Sequence, residues 1–255
     1  MTTSHVGNTE RMAQSPLAGG GTPAEVWSRA GLRFPTLDLT GCRELVVVGA
    51  HPDDETVGFG AAAGLLAAAG VRVQIVSASD GGAAFPNYSL LQRYQLERTR
   101  RAELQRATGV LGLPPPVCLG LPDGDIACYE QRLTDLLIEI LSTKPAGTWC
   151  AATWRGDGHP DHEAVGRAAA AAVAYTGATL VEYPVWMWHW AQPGDIAVPW
   201  DRTFAVPSTP IAVERKKRAA QCFQSQFVSP SPGEQPVLPP YFLPRLLTVG
   251  EVVFC

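Results

Sequence analysis

The 255-residue chain has no apolar run approaching the roughly 18 residues of a membrane-crossing helix. Residues 1–21 are polar and Gly-rich, without the charged start and apolar core of a secretory signal, so a soluble cytoplasmic protein is expected. The six cysteines include no Cys-x-x-Cys pair and no close-set spacing, which argues against a thiolate zinc site or a disulfide scaffold and predicts reduced thiols. Excess charge of one sign is also missing. Twenty Lys and Arg stand against 24 Asp and Glu, a formal net charge of -4. The one basic run, Arg215-Lys216-Lys217-Arg218, reads as a solvated helix face, so no nucleic-acid partner is expected. A Gly-x-Ser-x-Gly elbow and a P-loop are absent, which sets aside serine hydrolases and NTPases. In Gly58-Phe-Gly60-Ala-Ala-Ala-Gly64 the third glycine comes one residue late for a dinucleotide fingerprint, and the first lies well past the strand end. Those glycines read as close helix–sheet packing.

What is present is a 46% hydrophobic, 17% charged composition, ordinary for a packed globular core. At this length one domain is expected, 41–255, behind a partly flexible N-terminal extension over 1–40. Glu44 to Ala50 is a Val-rich run of the kind buried on both faces of a sheet, and Thr56 to Ala69 has helical length and composition. A second Val-rich run, Val71 to Ser77, completes a βαβ unit. The alternation continues with helices over Leu90–Leu111, Tyr129–Ser142 and Glu163–Tyr175 and strands at Val117–Gly120, Thr148–Thr153 and from Ala178. A further strand is expected at Thr203–Val206 and a helix at Thr209–Phe223. This pattern predicts an α/β fold with a Rossmann-like, mostly parallel sheet and helices on both faces. Ligands in such sheets sit beyond the carboxyl ends of the strands, where the loops starting at His51, Ser79, Leu121 and Trp154 should converge. Ser229 to Pro240, dense in Pro and Ser, is a loop. Its sequence does not distinguish a cover over the site from a simple connection.

Two loops concentrate the unusual polar residues. Ala50-His51-Pro52-Asp53-Asp54-Glu55 follows the first strand, and one tight turn can aim His51 and Asp54 at a common point, a pairing that suits zinc. Asp53 lies between them, free for another role. A lone Asp at a helix start is usually a cap, but His, Asp and Asp in one strand-end loop favour catalysis. Gly156-Asp157-Gly158-His159-Pro160-Asp161-His162 follows the fourth strand, and a ligand from it would complete three protein donors with an open position. Asp161 or Asp157 can orient a histidine from behind, and a capping role suits Asp161 equally. Of five histidines in the chain, three fall in these two loops, too many for chance.

The two segments resemble those of the LmbE-like or PIG-L family of zinc-dependent N-deacetylases. Asp80-Gly81, Arg100-Arg-Ala-Glu103, Leu121-Pro-Asp-Gly124 and Ser225-Gln226 extend the resemblance over about residues 44–226. It implies a Rossmann-like fold, one Zn2+ (or another divalent metal) per chain on His51, Asp54 and His162, Asp53 as general base and His159 as the second catalytic group. The chemistry is coherent: zinc brings the pKa of water toward about 7 and polarises an amide carbonyl, Asp53 takes the water proton, and protonated His159 steadies the oxyanion.

The expected partner is a small N-acylated sugar such as an N-acetylglucosaminyl compound. Asp80, Arg93 and His189 are candidate substrate contacts; of Arg93, Arg98 and Arg100 on the 90–111 helix one can reach substrate hydroxyls or phosphate, although each is by default solvated and His189 by default structural. The aromatic stretch Tyr183 to Trp190 reads first as core or interface, second as a sugar platform. An amidase acting on a larger conjugate and a non-catalytic nucleotide-sugar binding domain are the alternatives. A metal phosphodiesterase would call for two metals and more carboxylate ligands. The sequence leaves the oligomeric state open.

Overall fold

A computed structural model describes residues 6–229 and 235–255. The first five residues and the centre of the Ser229–Pro240 loop, both covered by the expectations above, lie outside the described residues. The N-terminal part carries α1 (Asn8–Ala13) and α2 (Ala24–Arg29). The βαβ series follows: β1 (Glu44–Gly49), α3 (Asp54–Ala68), β2 (Arg72–Ser79), α4 (Leu90–Leu111), β3 (Val117–Leu121), α5 (Glu130–Ser142), β4 (Thr148–Thr153), α6 (Pro160–Thr176) and β5 (Thr179–Tyr183). The C-terminal part holds α7 (Met187–Trp190), β6 (Thr203–Ala205), α8 (Pro210–Ala220), α9 (Gln224–Phe227), α10 (Phe242–Val249) and β7 (Val252–Phe254).

β1 is buried along its whole length because its side chains alternate between two cores: Leu45 and Val47 enter one, Val46 and Val48 the other. Such a strand belongs in the middle of a sheet covered on both faces. The described residues form one seven-stranded sheet in the order β3-β2-β1-β4-β5-β7-β6. Strands β1 to β5 run parallel, and β7 pairs antiparallel with β5 and β6. Helices α3, α4, α8 and α10 pack together on one face, and α5 packs with α6 on the other. The chain leaves β1 toward β2 and β3, then returns to lay β4 on the other side of β1, which makes β1/β4 the topological switch point.

Local signals set the element ends. Ser89 and Gln92 form a capping box at the start of α4, and Gly112 ends that helix in the left-handed conformation, φ 78°. A Cβ on Gly58 would lie 2.3 Å from the ring of Tyr183, so this glycine lets α3 lie close on the sheet.

The N-terminal part is packed against the domain at several points. Asn8 Nδ2 donates to the Gly156 carbonyl at 2.7 Å, Arg11 pairs with Asp195 at 3.0 Å, and buried Trp27 donates to the Trp188 carbonyl at 3.0 Å. No helix among the described residues is long and apolar enough to cross a membrane.

Glu251, just before the C-terminal strand, ties it to α3 by hydrogen bonds and to Lys216 of α8 by a buried ion pair. Glu251 accepts from the amides of Ala61 and Ala62, each at 2.8 Å, and lies 2.9 Å from Lys216 Nζ. Removing one partner of a buried pair leaves the other charge uncompensated. Glu251→Ala is therefore expected to lower stability by about 3–5 kcal/mol in urea unfolding, whereas an exposed Glu214→Ala changes it little.

Candidate metal centre

β1 and β4 end side by side, so the turn after β1 and the loop after β4 open into one crevice. In the first turn Asp54 Oδ2 accepts from the His51 backbone amide at 2.8 Å and lies 3.3 Å from His51 Nδ1. The same oxygen lies 3.2 Å from Nε2 of His162, in the first turn of α6. One carboxylate oxygen thus faces two imidazole nitrogens from two loops. Asp53 stands at the start of α3 without capping it, and with φ 148° it is the one non-glycine residue of positive φ among the described residues. Strain of this kind, on the order of 1–3 kcal/mol, collects at functional sites.

Fully buried Asp157 fixes the direction of His162. Its carboxylate accepts from the amides of Val185, Trp186 and Met187, each at 2.9 Å, and from His162 Nδ1 at 2.8 Å. With the proton on Nδ1, the lone pair of Nε2 points to Asp54, and Nε2 is buried with no hydrogen-bond partner among the described residues. A carboxylate behind an imidazole whose other nitrogen is left free is the arrangement found behind metal-ligating histidines.

Among the described residues two groups of side chains have spacing that suits an ion: His51, Asp54 and His162, and His51, His159 and Asp161. The second is otherwise engaged. Asp161 accepts from the amides of Gly124 at 2.8 Å and Ile126 at 3.1 Å, and His159 Nδ1 accepts from the Asp161 amide at 3.2 Å. The helix cap of α6 is therefore His159, not Asp161, while Asp161 also lies 3.2 Å from His51 Nε2. Asp123, 3.0 Å from the same Nε2, completes the carboxylate support of His51. The first group keeps its donors free and fits a divalent cation.

The electrostatics follow from burial and charge. Burial raises the Asp53 carboxyl to about 7 against the pull of Arg100, whose guanidinium lies 3.3 Å away. Burial works against a charged His162, but in the metal-free chain Asp54 and Asp157 outweigh it and lift that imidazole to about 9, so a cation that binds Nε2 displaces a proton. Burial, with the charges of His162 and His51, depresses His159 to about 3. In the metal-free chain His159 is therefore a neutral imidazole, with the hydrogen on Nε2 because Nδ1 accepts from the Asp161 amide.

A cavity of about 300 Å³ lies beside the site. His51, Asp53, Asp54 and His159 line one side with Arg100 and Asp123. The other side is apolar, built from Met12 and Leu17 of the N-terminal part, Trp186, and Leu238 and Phe242 near the C-terminus. The flank of the Pro-rich loop therefore borders the site through Val237 and Leu238.

The three candidate substrate contacts are not brought to this cavity. Asp80 is held by Arg101, Arg93 donates to the carbonyls of Pro86 and Tyr88, and His189 donates to the Ser15 carbonyl at 2.8 Å. Arg100 takes the place expected of Arg93, donating also to the carbonyls of Gly81 and Pro52. Helical spacing carried that signal, since Arg100 stands midway between the buried Leu96 and Leu104.

The sequence matches the PIG-L family, GlcNAc-PI de-N-acetylase, over residues 46–173. This chain belongs to the PIG-L family. No curated protein matches the chain. Among solved structures it is similar to the N,N'-diacetylchitobiose deacetylase from Pyrococcus horikoshii, at 21% identity and TM-score 0.58, over 75% of each chain. It is also similar to a zinc-inhibited form of the teicoplanin deacetylase Orf2, at 20% identity and TM-score 0.57, over 72% of this chain and 84% of the other. The 4-carboxy-2-hydroxymuconate hydratase GalB from Pseudomonas putida KT2440 shares the fold as well, at 19% identity and TM-score 0.53, over 72% of this chain and 80% of its own. At these identities the likeness establishes the fold, and GalB illustrates that one fold hosts different reactions.

Asp157 supports three backbone amides and a histidine without exposure to water, and each orphaned group costs roughly 1–3 kcal/mol. Asp157→Ala is expected to lower stability by at least about 3 kcal/mol in chemical denaturation. An unchanged midpoint would show that the 185–187 turn holds without it.

Proposed function

We propose that this chain is a metal-dependent N-deacetylase that removes an acyl group, acetyl in the first place, from the amine of a small sugar-containing compound. The observation that carries this reading is the buried, unpartnered Nε2 of His162 aimed at Asp54, with Asp157 holding its other nitrogen. In this reading His51, Asp54 and His162 hold one divalent cation, zinc by the chemistry of an imidazole and carboxylate donor set. When bound, such a cation polarises an amide carbonyl and lowers the pKa of water toward about 7.

The chain's own residues carry the rest. Asp53, buried and set at about 7, takes a proton from the attacking water at neutral pH and passes it to the departing amine. Arg100 holds that carboxylate in direction and, with the strained backbone at Asp53, keeps it out of the helix cap. Neutral His159 donates from Nε2 to the oxygen that gains charge, a contribution of roughly 3–4 kcal/mol where one such donor has been removed elsewhere. The apolar wall excludes water from the opposite side. A sugar-sized ligand suits a cavity of about 300 Å³, and the family description supports an N-acetylated amino sugar.

Zinc-loaded protein is expected to release amine from N-acetylglucosamine-containing compounds, and chelation should abolish that release. Asp53→Asn should lower kcat by at least about 10²-fold with metal content unchanged, whereas His51→Ala should lose the metal itself. Full turnover by Asp53→Asn, or by the chelated protein, would overturn the proposal.

A further inference from the structure

Gln226, in α9, is fully buried and lines the same cavity. Its backbone is fixed on both sides: its amide donates to Phe223 at 3.0 Å and its carbonyl accepts from the Leu238 amide at 2.8 Å. The direction of its carboxamide is set by a relay. Glu103, buried on α4, accepts the Ser225 amide at 2.9 Å and the Ser225 hydroxyl at 2.6 Å. With its one hydroxyl hydrogen spent on Glu103, Ser225 Oγ can only accept from the group 2.8 Å away, which makes that group the Nε2 of Gln226. Oε1 is thereby turned the other way, and it has no hydrogen-bond partner among the described residues. A buried acceptor left without a donor costs stability, and a position that tolerates this cost is one that a ligand completes.

We infer that Gln226 Oε1 accepts a hydrogen bond from a hydroxyl group of the substrate, with Ser225 and Glu103 as its positioning residues. The reacting amide must lie against Asp53 and the donors of the β1 and β4 loops. Gln226 reaches the cavity from α9, which packs on α4, and so meets a different part of the ligand. On an N-acylated sugar the donors available there are ring or exocyclic hydroxyls. The residue lies beyond the matched family segment, 46–173, in the Ser225-Gln226 pair that extends the resemblance. The inference deepens the amide-hydrolase reading, and rests on it for the identity of the ligand.

The test compares metal-loaded, full-length parent protein with Gln226→Met, which has similar volume and no acceptor. Amine release is measured on N-acetylglucosamine and its 3-, 4- and 6-deoxy forms. Binding of the corresponding amines is measured by calorimetry in an Asp53→Asn background. In the parent, one deoxy form is expected to lose about tenfold in kcat/KM and in affinity. Gln226→Met should show that same loss with the fully hydroxylated compound and none further with that deoxy form. Its melting temperature should hold or rise, because an unpaired buried acceptor has gone, whereas a purely structural Gln226 predicts a fall. Should Gln226→Met fail to fold, Ser225→Ala supplies the second measurement, since a released carboxamide should lose part of the same discrimination. An identical deoxy penalty in parent and variant, or none in either, overturns the inference while leaving amide hydrolysis intact. Deoxy-selective binding without any amide cleavage overturns the hydrolase reading and upholds Gln226.

Discussion

The meeting of Asp54 with His51 and His162 depends on a topological constraint, the reversal of strand order between β1 and β4. Because the chain builds away from β1 in one direction and then returns to its other side, two loops more than a hundred residues apart in sequence open into one crevice. Neither loop alone supplies a three-donor site. The turn after β1 brings His51 and Asp54 together, and β4 must lie directly beside β1 for His162 to face them.

Asp157 converts that juxtaposition into a directed site. Its carboxylate spends its acceptor capacity on three amides of the 185–187 turn and on His162, and its own carbonyl accepts from the Trp190 indole at 2.8 Å. The aromatic stretch is thus bound to the metal-facing histidine, which explains why Trp186, Trp188 and Trp190 are buried here rather than displayed. Trp186 alone of these three borders the cavity, packed against Phe242 with ring centroids 4.9 Å apart.

The parts of the fold that were legible in the sequence are those whose signals are local. The Val-rich runs and the helix over Leu90–Leu111 announced themselves by composition and period, and the His-Pro-Asp-Asp and His-Pro-Asp-His loops by residue type and spacing. β7, three residues long, was invisible because its identity as a strand comes from pairing with β5 and β6. Arg100 was readable in principle from its place between Leu96 and Leu104, but a charged residue on a charged helix is ordinarily solvated. Asp123 carried a signal through the Leu121-Pro-Asp-Gly124 segment that follows the third strand. Gln226 was marked only by the Ser225-Gln226 pair of the resemblance, and Met12 and Leu17 by nothing, since tertiary packing brings α9 and the N-terminal part to the cavity. The three contacts chosen from residue type alone, Asp80, Arg93 and His189, are engaged by Arg101, by nearby carbonyls and by Ser15 respectively.

Because the same fold carries both deacetylases and a hydratase, the fold alone does not decide the chemistry, and the account rests on the donor set of His51, Asp54 and His162. The most direct test of that set is anomalous diffraction at the zinc edge from crystals of metal-loaded protein. A single peak within about 2.0–2.2 Å of the donor atoms of His51, Asp54 and His162 is the expected result. A peak between His159 and Asp161, or none at full zinc occupancy in solution, would contradict it.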